Sequence, residues 1–248
     1  MFDIKGNNAV VTGANRGIGK EIAMGYAQAG ANIVVIDIEI SDKTIEDIER
    51  FGVKCYPYEF DLSKCEKIEE LTEQIIKECG QVDILYNNAG TQRRYPCVDF
   101  PQSEWDFVMN VNSKSVFFLC QAFGKHMIAR GCGKIINTAS LLSFQGGLNV
   151  PAYASSKGSV MQFTKSLSNE WAGLGINVNC VAPGYLATDL NTALLNDPVR
   201  SKQILERIPA GRWGTPKDIV GTAIFLASKA SDYINGVVIP IDGGWLGR

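Results

Sequence analysis

Residues 9–19 read Ala9-Val10-Val11-Thr12-Gly13-Ala14-Asn15-Arg16-Gly17-Ile18-Gly19, an apolar run that passes into three closely spaced glycines. The apolar run predicts a buried strand, and the stretch 17–29 predicts a helix. Glycines in such a turn let the backbone approach a diphosphate, and the helix N-terminus offers unpaired N–H groups and a partial positive charge. The Gly-x-x-x-Gly-x-Gly spacing differs from the Gly-x-Gly-x-x-Gly and Walker fingerprints, so an ordinary tight turn remains the alternative.

Strand-like and helix-like stretches alternate along the rest of the chain. Apolar runs lie at 9–11, 33–36, 54–60, 84–86, 134–136, 176–181 and 237–239, with helix-like stretches such as 17–29, 64–79, 154–171 and 216–227 between them. This alternation indicates a parallel sheet with helices on both faces. We therefore expect one Rossmann-type α/β domain over residues 1–248, a doubly wound parallel sheet of about seven strands. The loop-rich stretch 183–216 is predicted to form a lid over a site.

The composition argues against several classes of protein. The 248 residues carry a formal net charge of −2 with both signs mixed along the chain, which argues against nucleic acid or a membrane surface as a partner. The N-terminus does not resemble an export signal, and no apolar run reaches the roughly 18 residues of a membrane helix, so a soluble, cytoplasmic protein is expected. Seven scattered cysteines and a single histidine, His126, predict reduced thiols and no metal site.

An acidic residue ends the second predicted strand. Asp37 follows the glycines by about 20 residues, where a carboxylate accepts hydrogen bonds from ribose hydroxyls and repels a 2′-phosphate. This position favours NAD over NADP as the cofactor. Arg16 argues the other way, because a guanidinium beside the glycines can hold a 2′-phosphate. The alternative for Asp37 is a helix N-cap or a solvated loop charge.

Tyr153 and Lys157 are four residues apart in Tyr-Ala-Ser-Ser-Lys, so on a helix they project from one face about 5–6 Å apart. A free tyrosine has a pKa near 10, and a nearby ammonium is expected to lower that pKa by roughly 1–3. The pair is then suited to exchange a proton with an alcohol or a ketone. Because Tyr-x-x-x-Lys also occurs by chance in many helices, an ordinary helix face is the alternative.

Several motifs, taken in order, resemble the short-chain dehydrogenase/reductase family from end to end. They are the glycine turn 12–19, Asp61-Leu62, Asn87-Asn88-Ala89-Gly90, Asn112, Ser140, Tyr153 with Lys157, and Pro183-Gly184 with Thr188. The resemblance implies an NAD(H)-dependent oxidoreductase, with the hydride passing between the substrate carbon and the nicotinamide. It implies that Tyr153 is the general acid/base and that Ser140 polarises the reacting oxygen, both in contact with the substrate. Lys157 would bind the nicotinamide ribose, and Asn112 would hold a water of the proton relay.

By the same resemblance, the cofactor contacts lie at the ends of several strands. They are Gly13, Asn15, Arg16, Gly17, Ile18, Gly19, Asp37, Asp61, Leu62, Asn87, Ala89, Gly90, Tyr153, Lys157, Pro183, Gly184, Leu186 and Thr188. The structural alternatives are an ordinary strand-end turn for Asn87-Asn88 and a loop breaker for Pro183-Gly184. The family resemblance also implies a homotetramer.

Three further stretches resemble the branch of the family that acts on sugar acids. They are 136–147, 206–216 and Asp242-Gly243-Gly244-Trp245-Leu246. The resemblance implies a small-molecule hydroxy or keto sugar acid as the substrate, with 2-dehydro-3-deoxygluconate ahead of gluconate. A carrier-linked 3-ketoacyl substrate is a further alternative, opposed by Asp37 because such reductases normally take NADPH. A catalytically silent dinucleotide-binding sensor is the alternative outside the enzymes.

Two adjacent arginines agree with an acid substrate. Arg93 and Arg94 closely follow the Asn-Asn-Ala-Gly motif, at the edge of the sheet where ligands bind in this architecture, and an arginine can hold a carboxylate by two parallel hydrogen bonds. Gln145 and Asn149 are predicted to contact sugar hydroxyls, and Ser143 is a further candidate substrate contact. The alternative for the arginines is that they are solvated charges or contacts between subunits.

Overall fold

One parallel sheet forms the centre of the molecule. The computed structural model describes residues 1–189 and 191–248 in full, and residue 190 by its backbone. The strands in this described part are β1 (Asn8–Thr12), β2 (Asn32–Asp37), β3 (Cys55–Glu59), β4 (Ile84–Asn87), β5 (Gly133–Thr138), β6 (Ile176–Pro183) and β7 (Val238–Ile241). Their order across the sheet is β3-β2-β1-β4-β5-β6-β7, and neighbouring strands are parallel. The predicted doubly wound parallel sheet is confirmed.

Helices cover both faces of this sheet. They are α1 (Gly17–Gln28), α2 (Asp42–Glu49), α3 (Ile68–Cys79), α4 (Gln102–Met109), α5 (Ser115–Arg130), α6 (Pro151–Trp171), α7 (Thr192–Leu195), α8 (Pro198–Arg207) and α9 (Lys217–Ala227). Helices α1 and α9 pack on one face, and α3, α5 and α6 pack on the other. None of the helices described is both long enough and apolar enough to cross a membrane.

The alternation of side chains along the strands explains the two-sided core. Val10 and Val34 face the cluster formed with α3, α5 and α6, whereas Val11 and Val35 face the cluster formed with α1 and α9. All four side chains are fully buried. Burial of one such side chain contributes about 1.5–3 kcal/mol. Because both faces of β1 and β2 are apolar, these strands require a sheet that is covered on both sides.

The order of the strands reverses at β1. The chain runs outward from β1 through β2 to β3, and then returns to place β4 on the other side of β1. The connections that leave β1 and β4 therefore diverge and open a crevice at the carboxyl ends of the strands. Doubly wound folds bind their ligands at this point.

The stretch 183–216 is more helical than its sequence predicts, because it contains α7 and α8. The carboxylate of Asp197 accepts hydrogen bonds from two backbone N–H groups in the first turn of α8, both at 3.0 Å, and Pro198 occupies the first helical position. An aspartate N-cap followed by proline at the first helical position strongly favours the start of a helix. Ile204 of α8 and Ile208, which directly follows the helix, pack in a small cluster with Trp245, and this packing anchors the helix to the rest of the molecule.

Gly19 has no room for a side chain. A Cβ atom there would lie 2.0 Å from the carbonyl oxygen of Gly13 and 2.6 Å from the side-chain nitrogen of Asn88. Because the first obstacle is the backbone of the glycine turn, we expect Gly19→Ala to lower the free energy of unfolding by about 3 kcal/mol. The thermal midpoint, measured by circular dichroism, should fall by roughly 6–12 °C. Gly221, exposed in α9 with open space around it, is the control, and Gly221→Ala should stabilise the protein by up to about 1 kcal/mol. An unchanged midpoint for Gly19→Ala would contradict this packing.

Candidate active site

A cavity of about 840 Å³ lies at the carboxyl ends of the strands. Its wall brings together most of the residues that the sequence predicts for the site. They are Gly13, Arg16, Gly17, Ile18, Asp37, Asp61, Leu62, Ala89, Gly90, Arg93, Arg94, Ser140, Tyr153, Lys157, Pro183, Gly184, Leu186 and Thr188.

The glycine turn presents its backbone to one end of this cavity. Gly13 and Gly17 have φ angles of +66° and +57°, in the left-handed region that favours glycine. In the described residues, the N-cap residue of α1, Arg16, makes no side-chain hydrogen bond to the helix, and the first turn of α1 contains no acidic residue. The N–H groups and the positive end of the helix dipole therefore border the cavity without a competing anion. This arrangement fits the diphosphate of a dinucleotide.

Asp37, the last residue of β2, stands at the same end of the cavity. Its Oδ2 accepts a hydrogen bond from the backbone N–H of Asn15 at 2.9 Å, and its Oδ1 accepts one from the N–H of Ile38 at 2.8 Å. These bonds fix the carboxylate beside the glycine turn and leave each oxygen a lone pair for ribose hydroxyls. Arg16 is exposed on the same wall.

Three residues that the resemblance assigns to the cofactor lie behind the cavity wall. Oδ1 of Asn15 accepts hydrogen bonds from the hydroxyls of Ser41 at 3.0 Å and Thr44 at 2.8 Å, which ties the glycine turn to the start of α2. Gly19 allows α1 to pack against that turn. Asn87 is buried and donates from Nδ2 to an amide oxygen on β5 at 2.9 Å. All three hold the backbone of the site in place.

Ser140 follows β5 and begins a short 3-10 turn, Leu141–Ser143. Its Oγ accepts a hydrogen bond from the N–H of Leu142 at 3.1 Å. Oγ of Ser143 accepts one from the N–H of Ser140 at 3.2 Å and donates to the backbone carbonyl of Lys157 at 2.7 Å. Ser143, a candidate substrate contact from the sequence, therefore joins this turn to α6 through its hydrogen bonds. The Ser140 side chain lies on the cavity wall.

Tyr153 and Lys157 leave α6 toward the same wall. Nζ of Lys157 lies 5.9 Å from the centre of the Tyr153 ring and donates to the carbonyl oxygen of Thr138 at 2.6 Å. Burial lowers the pKa of Lys157 to about 8. Burial raises the pKa of Tyr153, and the neighbouring Ser140 hydroxyl opposes that rise. Burial is the larger of these influences on the Tyr153 pKa. That Lys157 lowers this pKa stays a prediction.

Asn112 lies in one turn of π-helix, Asn110–Lys114, between α4 and α5. Such turns are frequent at functional sites. Its Oδ1 accepts a hydrogen bond from the N–H of Thr91 at 2.7 Å, and its Nδ2 donates to the Thr91 carbonyl at 2.8 Å and to Oγ of Ser156 at 3.1 Å. The buried side chain therefore clamps the segment after β4 to α6 from behind the wall. That Asn112 holds a water of the proton relay stays a prediction.

Arg93 and Arg94 both line the cavity, but Arg93 already has partners. Its Nε donates to Oε2 of Glu104 at 2.6 Å, and one of its NH groups donates to Oγ1 of Thr91 at 3.1 Å. Its guanidinium also lies 4.8 Å from the centre of the Phe107 ring. Arg94 is exposed. Of the two predicted carboxylate ligands, Arg94 is therefore the better placed to meet a substrate anion.

The two amides predicted to contact sugar hydroxyls are placed differently. Oε1 of Gln145 accepts a hydrogen bond from the indole N–H of Trp245 at 3.3 Å, so this side chain joins the 3-10 turn region to the C-terminal segment behind the wall. Asn149 lines the cavity and has a φ angle of +60°, which asparagine tolerates better than most residues. Asn149 is thus the amide available to a substrate.

Sequence reasoning missed part of the wall. The stretch 183–216 adds Tyr185, Asp189, Asn191, Leu194 and Arg200 to it. The sequence does contain a signal that places Arg200 on the wall. The helix start at Asp197-Pro198 locates α8, and the four-residue spacing of Arg200 and Ile204 puts both on one stripe of that helix.

Several known proteins are similar to this chain over its whole length. A family model described as enoyl-(acyl carrier protein) reductase matches residues 13–246. The 2-dehydro-3-deoxy-D-gluconate 5-dehydrogenases of Escherichia coli and Bacillus subtilis are 51% and 50% identical over 248 residues, with 100% of this chain and 98% and 97% of those proteins covered. The crystal structure of a gluconate 5-dehydrogenase from Burkholderia cenocepacia, in complex with NADP and tartrate, is 40% identical with a TM-score of 0.95, and the match covers 100% of this chain and 98% of that one.

Burial of Lys157 makes the stability of the protein depend on pH. Its pKa is about 8 in the folded protein against an ordinary value of 10.5. Between these values the unfolded chain binds more protons, so the free energy of unfolding rises with pH. Relative to Lys157→Met, the wild-type protein should gain on the order of 3 kcal/mol from pH 8 to pH 10.5, measured by urea unfolding.

A lysine on the same helix provides the control for this measurement. Lys165 is exposed on α6, so Lys165→Met should keep the pH dependence of the wild-type protein. Equal pH dependence in the wild-type protein and Lys157→Met would show that Lys157 is not buried as described.

Proposed function

The chain belongs to the short-chain dehydrogenase/reductase family, and we propose that it is an NAD(H)-dependent oxidoreductase that interconverts a secondary alcohol and a ketone on a sugar acid. The activity proposed is that of a 2-dehydro-3-deoxy-D-gluconate 5-dehydrogenase, also called 2-deoxy-D-gluconate 3-dehydrogenase. One observation carries the proposal: a single cavity is lined by Tyr153, Ser140, the glycine turn and several arginines. The names of the two relatives at 50% identity or more support the sugar acid.

Tyr153 moves the proton in this reaction. Because burial raises its pKa, the phenol is protonated at neutral pH and serves as the acid when a ketone is reduced. Its O–H gives the proton to the carbonyl oxygen, while the Ser140 hydroxyl donates a hydrogen bond to the same oxygen and polarises it. In the oxidative direction the phenolate takes the proton back from the alcohol. When bound, the nicotinamide cofactor supplies or accepts the hydride at the substrate carbon.

Lys157 restores the proton of Tyr153. A lysine with a pKa near 8 changes its protonation state readily around neutral pH, and Lys157 lies on the wall beside the phenol. Its ammonium is suited to return a proton to the phenolate and to hydrogen-bond a ribose hydroxyl. Asn112 supports this relay by clamping Thr91 and Ser156 behind the wall.

The cofactor we propose is NAD rather than NADP. Asp37 holds a fixed carboxylate at the ribose end of the cavity, where a 2′-phosphate would be repelled. The relative from Burkholderia cenocepacia binds NADP, and Arg16 is the residue here that would favour the same choice. The wall residues that would hold the dinucleotide are Gly13, Arg16, Gly17, Ile18, Asp37, Asp61, Leu62, Ala89, Gly90, Pro183, Gly184, Leu186 and Thr188.

Gluconate 5-dehydrogenase activity is the second candidate, favoured by the 40% identity to the enzyme of that name. Both activities need the same proton transfer and the same carboxylate site. They differ in the hydroxyls of the substrate, which Asn149 and the residues of the 183–216 stretch would meet. Neither a 3-ketoacyl substrate nor a silent sensor is supported by the relatives reported above.

Three further expectations are part of the proposal. Residues 1–248 form one catalytic domain, supported by the single sheet. The enzyme works in the cytoplasm, supported by cysteines that are free in the described residues, as a reducing compartment requires. It assembles as a homotetramer, as the family resemblance implies, and light scattering of the purified protein measures that mass directly.

Removal of the Tyr153 hydroxyl should abolish turnover and spare cofactor binding. We expect Tyr153→Phe to lower kcat by about 10²–10⁴-fold, because the proton donor is lost. The Kd for NADH, measured by fluorescence titration, should stay within about twofold of the wild-type value. Tyr233→Phe, at an exposed position, is the control and should retain full activity. Turnover that survives in Tyr153→Phe would refute the mechanism.

Asp37 and Arg16 should set the choice of cofactor in opposite directions. Loss of the carboxylate in Asp37→Ser should reduce the NADH/NADPH ratio of kcat/KM by about tenfold to a hundredfold, because the repulsion of the 2′-phosphate is removed. Arg16→Ala should raise that ratio. Asp42→Asn, exposed at the start of α2, should leave it unchanged. If Asp37→Ser and Asp42→Asn behave alike, Asp37 does not select the cofactor.

A further inference from the structure

One cation on the cavity wall has no role in the mechanism above. Arg200 lies in the first turns of α8, is half-buried and lines the same cavity as Tyr153 and Ser140. One of its NH groups donates to the neutral Oε1 of Gln203 at 2.9 Å. Within the part of the chain that the structure describes, Arg200 forms no ion pair. A half-buried guanidinium with a neutral partner is suited to receive an anion.

The position of Arg200 in its helix explains why it lies on the wall. Arg200 and Ile204 are four residues apart and share one stripe of α8, and Ile208 directly follows the last residue of the helix. Ile204 and Ile208 are buried in a cluster with Leu141, and Leu141 directly follows Ser140. The stripe with Arg200 and Ile204 therefore lies toward the turn that begins at Ser140, and the packing of Ile204 and Ile208 holds α8 there.

The arginines of the wall differ in whether an acidic side chain already pairs with them. Arg93 is paired with Glu104 at 2.6 Å, so its charge is largely neutralised. Arg94 is exposed at the segment after β4. Asp189 also lines the cavity, and in the described structure it is not within ion-pair distance of Arg200. Arg94 and Arg200 thus form no ion pair in the described structure, and the third such arginine of the wall, Arg16, lies beside the glycine turn.

We propose that Arg200 binds the carboxylate of the substrate and makes the enzyme specific for acids; this inference rests on the proposed function. The planar fork of a guanidinium matches a carboxylate through two parallel hydrogen bonds. Arg200 has N–H groups available for them besides the one that contacts Gln203. The bond joins the substrate to α8, so the charge of the substrate also holds this helix over the site.

Substitution of Arg200 should discriminate between an acid and its neutral analogue. The probes are D-gluconate and D-gluconamide, which differ only in the charged group, titrated into the enzyme–NADH complex by calorimetry. Arg200→Gln should weaken binding of D-gluconate by about tenfold to a hundredfold and change binding of D-gluconamide by less than about twofold. Arg200→Lys should recover part of the loss, because an ammonium keeps the charge without the fork.

The control lies on the same helix and removes the same charge. Lys202 is exposed on α8, and Lys202→Gln should bind both probes as the wild-type protein does. Equal losses for the acid and the amide in Arg200→Gln would mean that the substitution disturbs the site in general. That outcome, an unchanged affinity for D-gluconate, or a wild-type protein that binds no D-gluconate would each overturn the proposal.

Turnover separates this inference from the proposed function. The same variants are assayed for kcat/KM with the keto sugar acids that the wild-type enzyme reduces. Full activity of Arg200→Gln on those acids would refute the role of Arg200 and leave the function standing. A wild-type protein that binds D-gluconate through Arg200 but reduces no sugar acid would refute the function and leave the carboxylate site standing.

Discussion

Parallel pairing of the strands is the constraint on which the site depends. It brings the carboxyl ends of all the described strands to one edge, and the reversal at β1 opens that edge into a crevice. Asp37 ends β2 and Ser140 follows β5, three strand spacings away, a span of about 14 Å. An extended dinucleotide can cross that distance. The apolar runs that bury both faces of the sheet thus also fix the distance between Asp37 and Ser140 at the two ends of the cavity.

Helix α6 is attached to this edge by hydrogen bonds, and Tyr153 and Lys157 line the cavity from it. Lys157 bonds the Thr138 carbonyl, Ser143 bonds the backbone of Lys157, and Asn112 bonds Ser156. Burial among these groups raises the pKa of the Tyr153 phenol and lowers that of the Lys157 ammonium. The pKa of Tyr153 is therefore higher, and the pKa of Lys157 lower, than the pKa of the corresponding free side chain. The proposed reduction of a ketone would use this protonated phenol and the readily titrated lysine near it.

Local patterns in the sequence predict the fold and the shared helix face of Tyr153 and Lys157, because apolar periodicity reports on burial and residue spacing reports on the face of a helix. They do not predict which polar side chains form hydrogen bonds to other parts of the protein and are thus not available to a ligand. Asn15, Asn87 and Gln145 carry the right chemistry for ligand contacts, yet each bonds another part of the chain. The partner in each case is distant in sequence, so spacing alone cannot reveal it. Arg200 is the converse case, because its place on the wall depends on how α8 packs against the turn after Ser140.

We propose that Tyr153 protonates the oxygen of a ketone on a sugar acid while NADH would supply the hydride. The most direct measurement is steady-state NADH and NADPH oxidation by the wild-type enzyme across a panel of keto sugar acids and their neutral counterparts. We expect the highest kcat/KM for an acid, with the diketo partner of 2-dehydro-3-deoxygluconate ahead of 5-keto-D-gluconate, and a preference for NADH. Higher activity on neutral ketones, or no activity on any sugar acid, would contradict this expectation.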